Sequence, residues 1–471
     1  MKRPIVVVTL LTSTVAIGIA LVQVRTADIQ NIREYGAVCD GMTDDTAAIQ
    51  AALDAGAGRA VYVPEAASAC LISRPLRVPS HTRLYGDGWN SRLRAIANFG
   101  DRELVGNATT APATEAERDA GIRIEQLAID GNQAENGPAK EHSPCILLRA
   151  VVDAHVEGVR CTNPKGDGVQ LGAPSAATGV RPLRNTVRHN VITGARRNGV
   201  SVTEGEQISV DRNAITASAL HGIDLEANNG RSLIRDVTIT RNVITASGTS
   251  NYSYGIAVTG GQTLAENILV SRNIIDATTG GGIGFRLVTQ LTVERNLIRR
   301  PTTRGIALIG GGDVPPSAVS IDRNVIHASA LQGIALASTA ALVITGNHVV
   351  GSGSYSLQVD DAVGATIQGN RLTRGALDGL LLTDVSQSTV TDNTAEGHRG
   401  NGIRLLGRAE GAAHNTVAAN VSQENGGWGI TEGGVGTDYN LIVHNDVRGN
   451  VAGGVHQSGA HSVVADNLGD E

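Results

Sequence analysis

The chain has 471 residues, enough for two or three ordinary globular domains, yet 58 glycines stand against 13 prolines, two tryptophans, seven tyrosines and two phenylalanines. So few aromatic side chains argue against a large conventional core; the Val, Ile, Leu, Ala, Asn, Thr and Gly that dominate instead suit many short strands joined by tight turns. A formal net charge of −6 offers no basic footprint and argues against nucleic acid as a partner.

Lys2 and Arg3 precede an apolar run from Ile5 to about Val24, the pattern of a secretory signal peptide. Arg25 sits where a small residue is wanted before Ala27, so a cut after Ala20 or an uncleaved anchor are the alternatives. The run is near the ~20 residues that span a bilayer. On either reading residues 1–27 direct export, the body is secreted or periplasmic, and only this segment would meet a membrane. Cys39, Cys70, Cys145 and Cys161 would then meet oxidising conditions. Locality favours the pairs Cys39–Cys70 and Cys145–Cys161 over four buried thiols, and the spacing fits no zinc site.

Residues 28–100 contain "IREYGAVCDGMTDDTAAIQAALDAGAGRAVYVPEAASACLISRPLRVPSHTRLYGDGW". Thr43 is expected to cap a short helix from about Asp44 to Asp54, with Ile49, Ala52 and Leu53 on one face. That helix would plug the open end of a repeat array, which residues 101–471 supply as one continuous domain with the cap. From Asn190 to Asn467 twelve asparagines recur, as in "RNAITASALHGIDL", "RNIIDATTGGGIGF" and "RNVIHASALQGIAL". In ten of eleven intervals a Gly (Ser356 once) follows nine residues later, and only Asn242 to Gly255 carries four extra residues. A period of about 22 to 31 residues marks a solenoid.

Each period reads as two or three short strands, with the Ile and Leu of Gly-Ile-x-Leu inward and the residue between them outward. Strands this short stack on their equivalents about 4.8 Å away. The repeated Asn would sit in a turn in left-handed geometry, its amide bonded to the Asn above and below. The expected fold is all-β, a right-handed parallel β-helix solenoid with an N-terminal capping helix. A leucine-rich-repeat horseshoe is the alternative, but its helix-forming half is missing. The Gly-to-Asn step lengthens after Gly168, Gly222, Gly255 and Gly305, so loops gather on one side of residues 168–324, commonly the binding side.

Residues 32 to about 90 resemble the N-terminal cap of the pectate-lyase-type superfamily, whose members open Phe-Gly-Ala-x-Gly-Asp-Gly-x-x-Asp-Asp-Thr-x-Ala-Ile-Gln. With the repeats, the resemblance covers nearly the whole mature chain. It implies a right-handed β-helix and a polysaccharide partner, while the superfamily spans polygalacturonase-like hydrolases, lyases, mannuronan C5-epimerases and phage tailspikes. Epimerase modules carry Tyr-Gly-Phe-Asp-Pro-His, with the Asp and His in catalysis. Here the frame reads His221-Gly222-Ile223-Asp224-Leu225-Glu226: Asp224 matches, but Glu226 replaces the His and His221 the Tyr. The paired aspartates and Gly-His-Gly of the polygalacturonases are absent.

Within "HGIDLEANNG", Asp224 and Glu226 occupy outward positions where sister coils carry mostly small or neutral residues. At i and i+2 on a strand their Cβ atoms lie roughly 6.5–7 Å apart, compatible with a retaining (~5–5.5 Å) or an inverting (~6.5–9.5 Å) glycosidase pair. Stacking adds Ser201, Thr203 and Glu204 one coil earlier, Asp167 and Gln170 two coils earlier, and Tyr252 and Tyr254 one coil later. The catalytic candidates are Asp224, Glu226, His221, Asp167 and Glu204; the substrate-binding candidates are Tyr252, Tyr254, Asn198, Arg196, Arg197 and Gln170. Against them stands ordinary polarity on a solvated sheet, such as Gln358, Asp360 and Arg404 elsewhere.

Three readings follow. A hydrolase or transglycosylase would use one carboxyl as acid and the other as base or nucleophile, with Glu204 nearby raising one pKa, and residue types favour it. A uronate lyase or C5-epimerase would need Ca²⁺ on Asp167, Asp224 or Glu226, or Arg196 and Arg197, to neutralise the substrate carboxylate. The third is a glycan-binding rod without catalysis. The short stretch after Asn467 leaves little chain to cap the last coil, so a second copy of the chain is a further candidate partner.

Overall fold

The computed structural model describes residues 29–140, 143–173, 179–227, 230–260, 263–309 and 314–470. The apolar N-terminal run expected to direct export lies outside these described residues. Each coil gives one strand to each of three sheets, as in Thr186–Arg188, Val191–Thr193 and Val200–Val202. The sheets hold 17, 14 and 15 strands in the order the chain visits them, and every strand pairs in parallel with its equivalents in adjacent coils. The result is a parallel β-solenoid.

Strict alternation builds the core. In the third sheet Val200 and Val202, Ile223 and Leu225, and Ile256 and Val258 point inward and are fully buried. The residues between them, Ser201, Asp224 and Ala257, point outward in register. β-Branched and leucine side chains therefore stack on like side chains, removing apolar surface from water along the whole axis.

The asparagines do more than turn the chain. Asn296 accepts, at Oδ1, both the backbone N–H and the side-chain amide of Asn273, at 2.9 and 3.0 Å. In turn it donates to Asn324 Oδ1 and to the Val270 carbonyl of the preceding coil. The same bonds recur from Asn190 to Asn467. The left-handed conformation expected at Asn falls instead on the residue before it: His189, Arg212, Arg241, Arg272, Arg295 and Arg323 have φ of 49–58°. The physical reason is that Asn must aim its amide into the dry corner, so the exposed predecessor takes the strained geometry.

The cap helix runs Thr46–Ala55 and buries Ile49, Ala52 and Leu53 as expected. Thr43 does not cap it; its N–H and hydroxyl donate to Asp40 instead. Asp45 occupies the N-cap position, but its carboxylate is spent on the N–H groups of Val38 and Cys39. Disulfides join Cys39 to Cys70 and Cys145 to Cys161, the two local pairings.

Because Asn296 Oδ1 accepts both donors of the buried Asn273, Asn296→Ala should destabilise the protein by about 3 kcal/mol, the cost of orphaning two buried donors. Urea denaturation followed by circular dichroism measures this. A midpoint equal to that of the unsubstituted chain would mean the ladder does not hold the coils together.

Candidate functional site

The residue immediately before the recurrent glycine forms a second column, on the rim of the third sheet. In coil order it reads Asp167, Asn198, His221, Tyr254, Gly281, Arg304, Gln332 and Tyr355, because the backbone bonds that follow each glycine keep the coils in register. Asp167 Oδ1 accepts the N–H of Asn198 at 2.9 Å, Asn198 Oδ1 that of His221 at 2.9 Å, and His221 Nδ1 that of Tyr254 at 3.0 Å. Each side chain thus satisfies a backbone donor that the turn would otherwise leave unpaired.

Asp224 joins this column from the strand Ile223–Leu225. The Asn198 side-chain amide donates to Asp224 Oδ2 at 3.2 Å and to Ser201 Oγ at 3.0 Å, and Ser201 donates to Asp167 Oδ2 at 2.9 Å. Asp167 also faces the Arg197 guanidinium at 3.6 Å. Asp167, Asn198, Ser201 and Asp224 are all buried, so two acids from different coils sit in one hydrogen-bonded cluster. Gln170 lies beside Ser201 in register, and its buried amide oxygen has no hydrogen-bond partner among the described residues.

His221 stacks on Tyr254 with ring centroids 6.4 Å apart and planes 20° from parallel. Burial pushes its pKa down to about 4, so the imidazole is neutral near pH 7. Because Nδ1 accepts from Tyr254, Nε2 carries the proton and is the donor this ring offers. Burial pushes the Tyr254 phenol up, partly offset by the positive charge of Arg304. The Tyr254 ring lies over Gly281 and Gly284: a Cβ at either position would meet it at 2.1 or 2.7 Å. The glycines of "TGGGIGF" therefore make room for the ring.

Beyond Asp224 the outward positions become small, Ala257, Gly284, Ala307 and Ala335, before Gln358. These form the floor of a trough. Near Asp224 this floor is covered, Ala257 and Ala307 being buried and Gly284 lying under Tyr254 and Ile309, and a cavity of about 460 Å³ opens at its far end over Ala335, lined also by Arg286, Arg304, Leu308, Pro316, Gln332 and Gln358. Arg304 donates to Gln332, Gln332 to Gln358 and Gln358 to Asp360, a polar chain that runs down the trough.

The other candidates fall elsewhere. Glu226 is half-buried and outward, on the same face as Asp224 because Leu225 and Ala227 point in. Glu204 is buried on the turn beyond Val200–Val202, where Arg181 lies 3.4 Å away, rather than clustering with Asp224. Burial pushes its pKa up, partly offset by Arg181 and Ser232. Arg196 turns away from the trough to bond Gln133 and the Gly137 carbonyl. Tyr252 stands 84% exposed at the tip of the four-residue insertion. Among the described residues the one trio of metal-ligating atoms within mutual reach is Cys39, Asp45 and Cys70, whose sulfurs form a disulfide. Asp167, Asp224 and Glu226 thus do not converge as a Ca²⁺ cage. Arg286 and Arg304 were missed by sequence; Arg304 precedes its glycine just as Asp167, Asn198, His221 and Tyr254 do, and that position was the available signal.

Comparison with known proteins accords with this fold. A family model described as rhamnogalacturonase A/epimerase, pectate lyase-like matches residues 29–244, and one for a right-handed β-helix region matches 229–372 and 314–468, together half of the chain for the latter. The chain belongs to the pectate-lyase-like right-handed β-helix superfamily. Among curated relatives, this β-helix protein is 25% identical over 146 residues to a pre-neck appendage protein of Bacillus phage B103, covering 30% of this chain and 16% of the relative. It is 34% identical over 116 residues to alginate lyase 7 of Azotobacter vinelandii, covering 22% of this chain and 13% of the relative. The chain thus spans less than a fifth of these relatives' length.

Among solved structures, the A-module of the A. vinelandii mannuronan C-5 epimerase AlgE6 superposes with TM-score 0.52 at 17% identity, covering 93% of this chain and 98% of that one. The N-terminal fragment of bacteriophage phi29 gene product 12 gives TM-score 0.61 at 14% identity, covering 88% and 86%.

The neutral His221 sets a pH dependence. Below the ordinary value of 6.5 the unfolded chain takes up a proton that folded His221 refuses until about 4, so stability present above that window is lost as pH falls through it. His398, buried and likewise held at about 4, adds to the effect. Urea midpoints should be level from pH 8 to 7 and fall toward pH 5, with a shallower fall in His221→Asn. An unchanged slope in that variant and in His398→Asn would refute the assignment.

Proposed function

We propose that this β-helix protein acts on a uronic-acid polysaccharide lying in the trough, abstracting the proton at C5 as a lyase or C5-epimerase. The observation that carries the reading is that Asp224 and His221 share one rung, Tyr254 stands in the next and Arg304 two rungs beyond it, beside a row of small outward residues. Sequence alone favoured hydrolysis on carboxylate content. Two arginines on the same face, Arg286 and Arg304, tilt the balance, because they would offset the substrate carboxylate and the charge that develops when C5 is deprotonated.

In this reading Asp224 takes the C5 proton, and the electron pair is delocalised into the uronate carboxylate facing the arginines. For elimination the C4–O bond then breaks, leaving a C4–C5 double bond, and the departing oxygen takes a proton from the Tyr254 hydroxyl or His221 Nε2–H. For epimerisation the Tyr254 hydroxyl or His221 Nε2–H would instead give its proton to C5 on the face opposite Asp224, and no bond to oxygen breaks. Asp167, Asn198 and Ser201 orient Asp224 and do not touch substrate. Arg197 holds Asp167. The two disulfides support a site of action outside the cytoplasm.

Hydrolysis is the second reading, supported by Asp224 and Glu226 facing the same way from one strand. A glycan-binding rod without turnover is the third, supported by the likeness to a phage appendage protein. Incubation with polymannuronate separates them. A lyase gives an ultraviolet-absorbing unsaturated end, an epimerase a changed C5 configuration by NMR, a hydrolase a saturated reducing end, and a rod no product. Asp224→Asn should lower turnover at least about a hundredfold, as expected for a proton-transfer group, with Glu226→Gln much less affected. Full activity in Asp224→Asn would remove this site.

A further inference from the structure

The rim column that contains Tyr254 continues beyond the trough. After Tyr355 it reads Asp378, Asn401, Trp428 and Gly453. Asp378 Oδ1 accepts the N–H and the side-chain amide of Asn401, at 2.6 and 3.0 Å, and Asn401 Oδ1 accepts the N–H of Trp428 at 2.8 Å. Asp167, Asn198 and His221 lead up to Tyr254 in the same manner. The likeness extends to the glycine: a Cβ on Gly453 would meet the Trp428 ring at 2.3 Å, as one on Gly281 would meet Tyr254 at 2.1 Å. The chain has only two tryptophans and seven tyrosines, yet this single column holds Tyr254, Tyr355 and Trp428.

Trp428 differs from Tyr254 in being partly open to solvent. His456 flanks its ring at 5.1 Å between centroids, and Arg404 projects from the strand beside it, 3.8 Å from Asp378. A partly exposed indole flanked by an imidazole offers a sugar ring a flat apolar face, and Arg404, one coil earlier on the same face and leaning toward Asp378, would offer a carboxylate a cation a short way along the rod. With coils about 4.8 Å apart, Tyr355 stands roughly 19 Å along the axis from Tyr254, and Trp428 roughly 14 Å further. The cavity between Arg286, Arg304 and Gln358 fills the first interval.

We propose that Trp428, with Arg404 and His456, is a remote sugar-stacking subsite, and that the Tyr254–Tyr355–Trp428 column binds one extended anionic polysaccharide along the rod. This rests on the reading of the trough as the site of reaction and adds a place that holds the polymer about seven coils away from it. A long chain spans both places, whereas a trisaccharide fills the trough alone.

The test uses Trp428 as its own reporter in a Trp89→Phe background. Titration with long polymannuronate should quench or shift Trp428 emission, and polymannuronate trisaccharide or a neutral glucan of matched length should not. Trp428→Ala should raise KM for the polymer about fivefold, as expected for loss of one aromatic stacking contact, with kcat and trisaccharide turnover unchanged. Emission unaltered by the polymer, or a Trp428→Ala protein that binds polymer as tightly as before, overturns the subsite and leaves the indole a filler above Gly453. An emission change that persists in Asp224→Asn, in a protein that yields no product even when unsubstituted, keeps the subsite and discards the chemistry.

Discussion

Everything at the surface of this rod depends on a hydrogen bond in its interior, the one by which each buried asparagine accepts the amides of the asparagine a coil earlier. A three-residue strand such as Ile223–Leu225 makes few backbone bonds of its own, and the ladder adds to them in fixing its register. A slip of one residue would turn Asp224 into the core and expose Ile223 and Leu225. Because the bond is repeated at every coil, errors do not accumulate, and side chains tens of residues apart in sequence meet one coil spacing apart in space.

The rim column uses the same physics on the outside of the corner. Backbone N–H groups there need acceptors, and Asp167, Asn198 and His221 supply them from their side chains. Supplying an acceptor fixes the rotamer, so each of these polar groups is held in place before any ligand arrives. At Tyr254 and at Trp428 the next coil offers glycine and the ring can lie down. One structural requirement, a donor to be satisfied at every corner, thereby yields a rigid line of acids, amides and rings. That rigidity is what a site for proton transfer needs, since reacting groups held in place lose little freedom on binding.

The scaffold itself does not select a chemistry. Its likenesses include a mannuronan epimerase module and a phage gene product 12 fragment, built on the same stacked coils at under a fifth identity. The distinction lies in a handful of outward side chains. Asp167 and Asp224 belong to one cluster, Asp167 bonded to Asn198 and Ser201 and facing Arg197, Asp224 bonded to Asn198 at the coil beyond which the outward residues become small.

The solenoid was legible from sequence because its cause is local and periodic: Asn, nine residues, Gly, then an apolar pair around one outward residue. Cysteine pairing and the helix with Ile49, Ala52 and Leu53 inward were legible for the same reason. Counting coils also put Asp167, Asn198, Ser201, His221, Asp224 and Tyr254 in one neighbourhood. Direction was not legible. Whether Arg196 turns toward Gln133 or the trough, whether Glu204 meets Arg181 or Asp224, and which residue of Arg-Asn takes the left-handed turn depend on partners supplied by other coils. Nor could periodicity reveal that Arg286 and Arg304 border the cavity, or that Tyr254 and Trp428 rest on glycines one coil later. The sequence by itself determined the repeat and hence which residues share a face; the tertiary structure decided which of them touch, because side-chain reach and hydrogen-bond direction exist only once the coils are stacked.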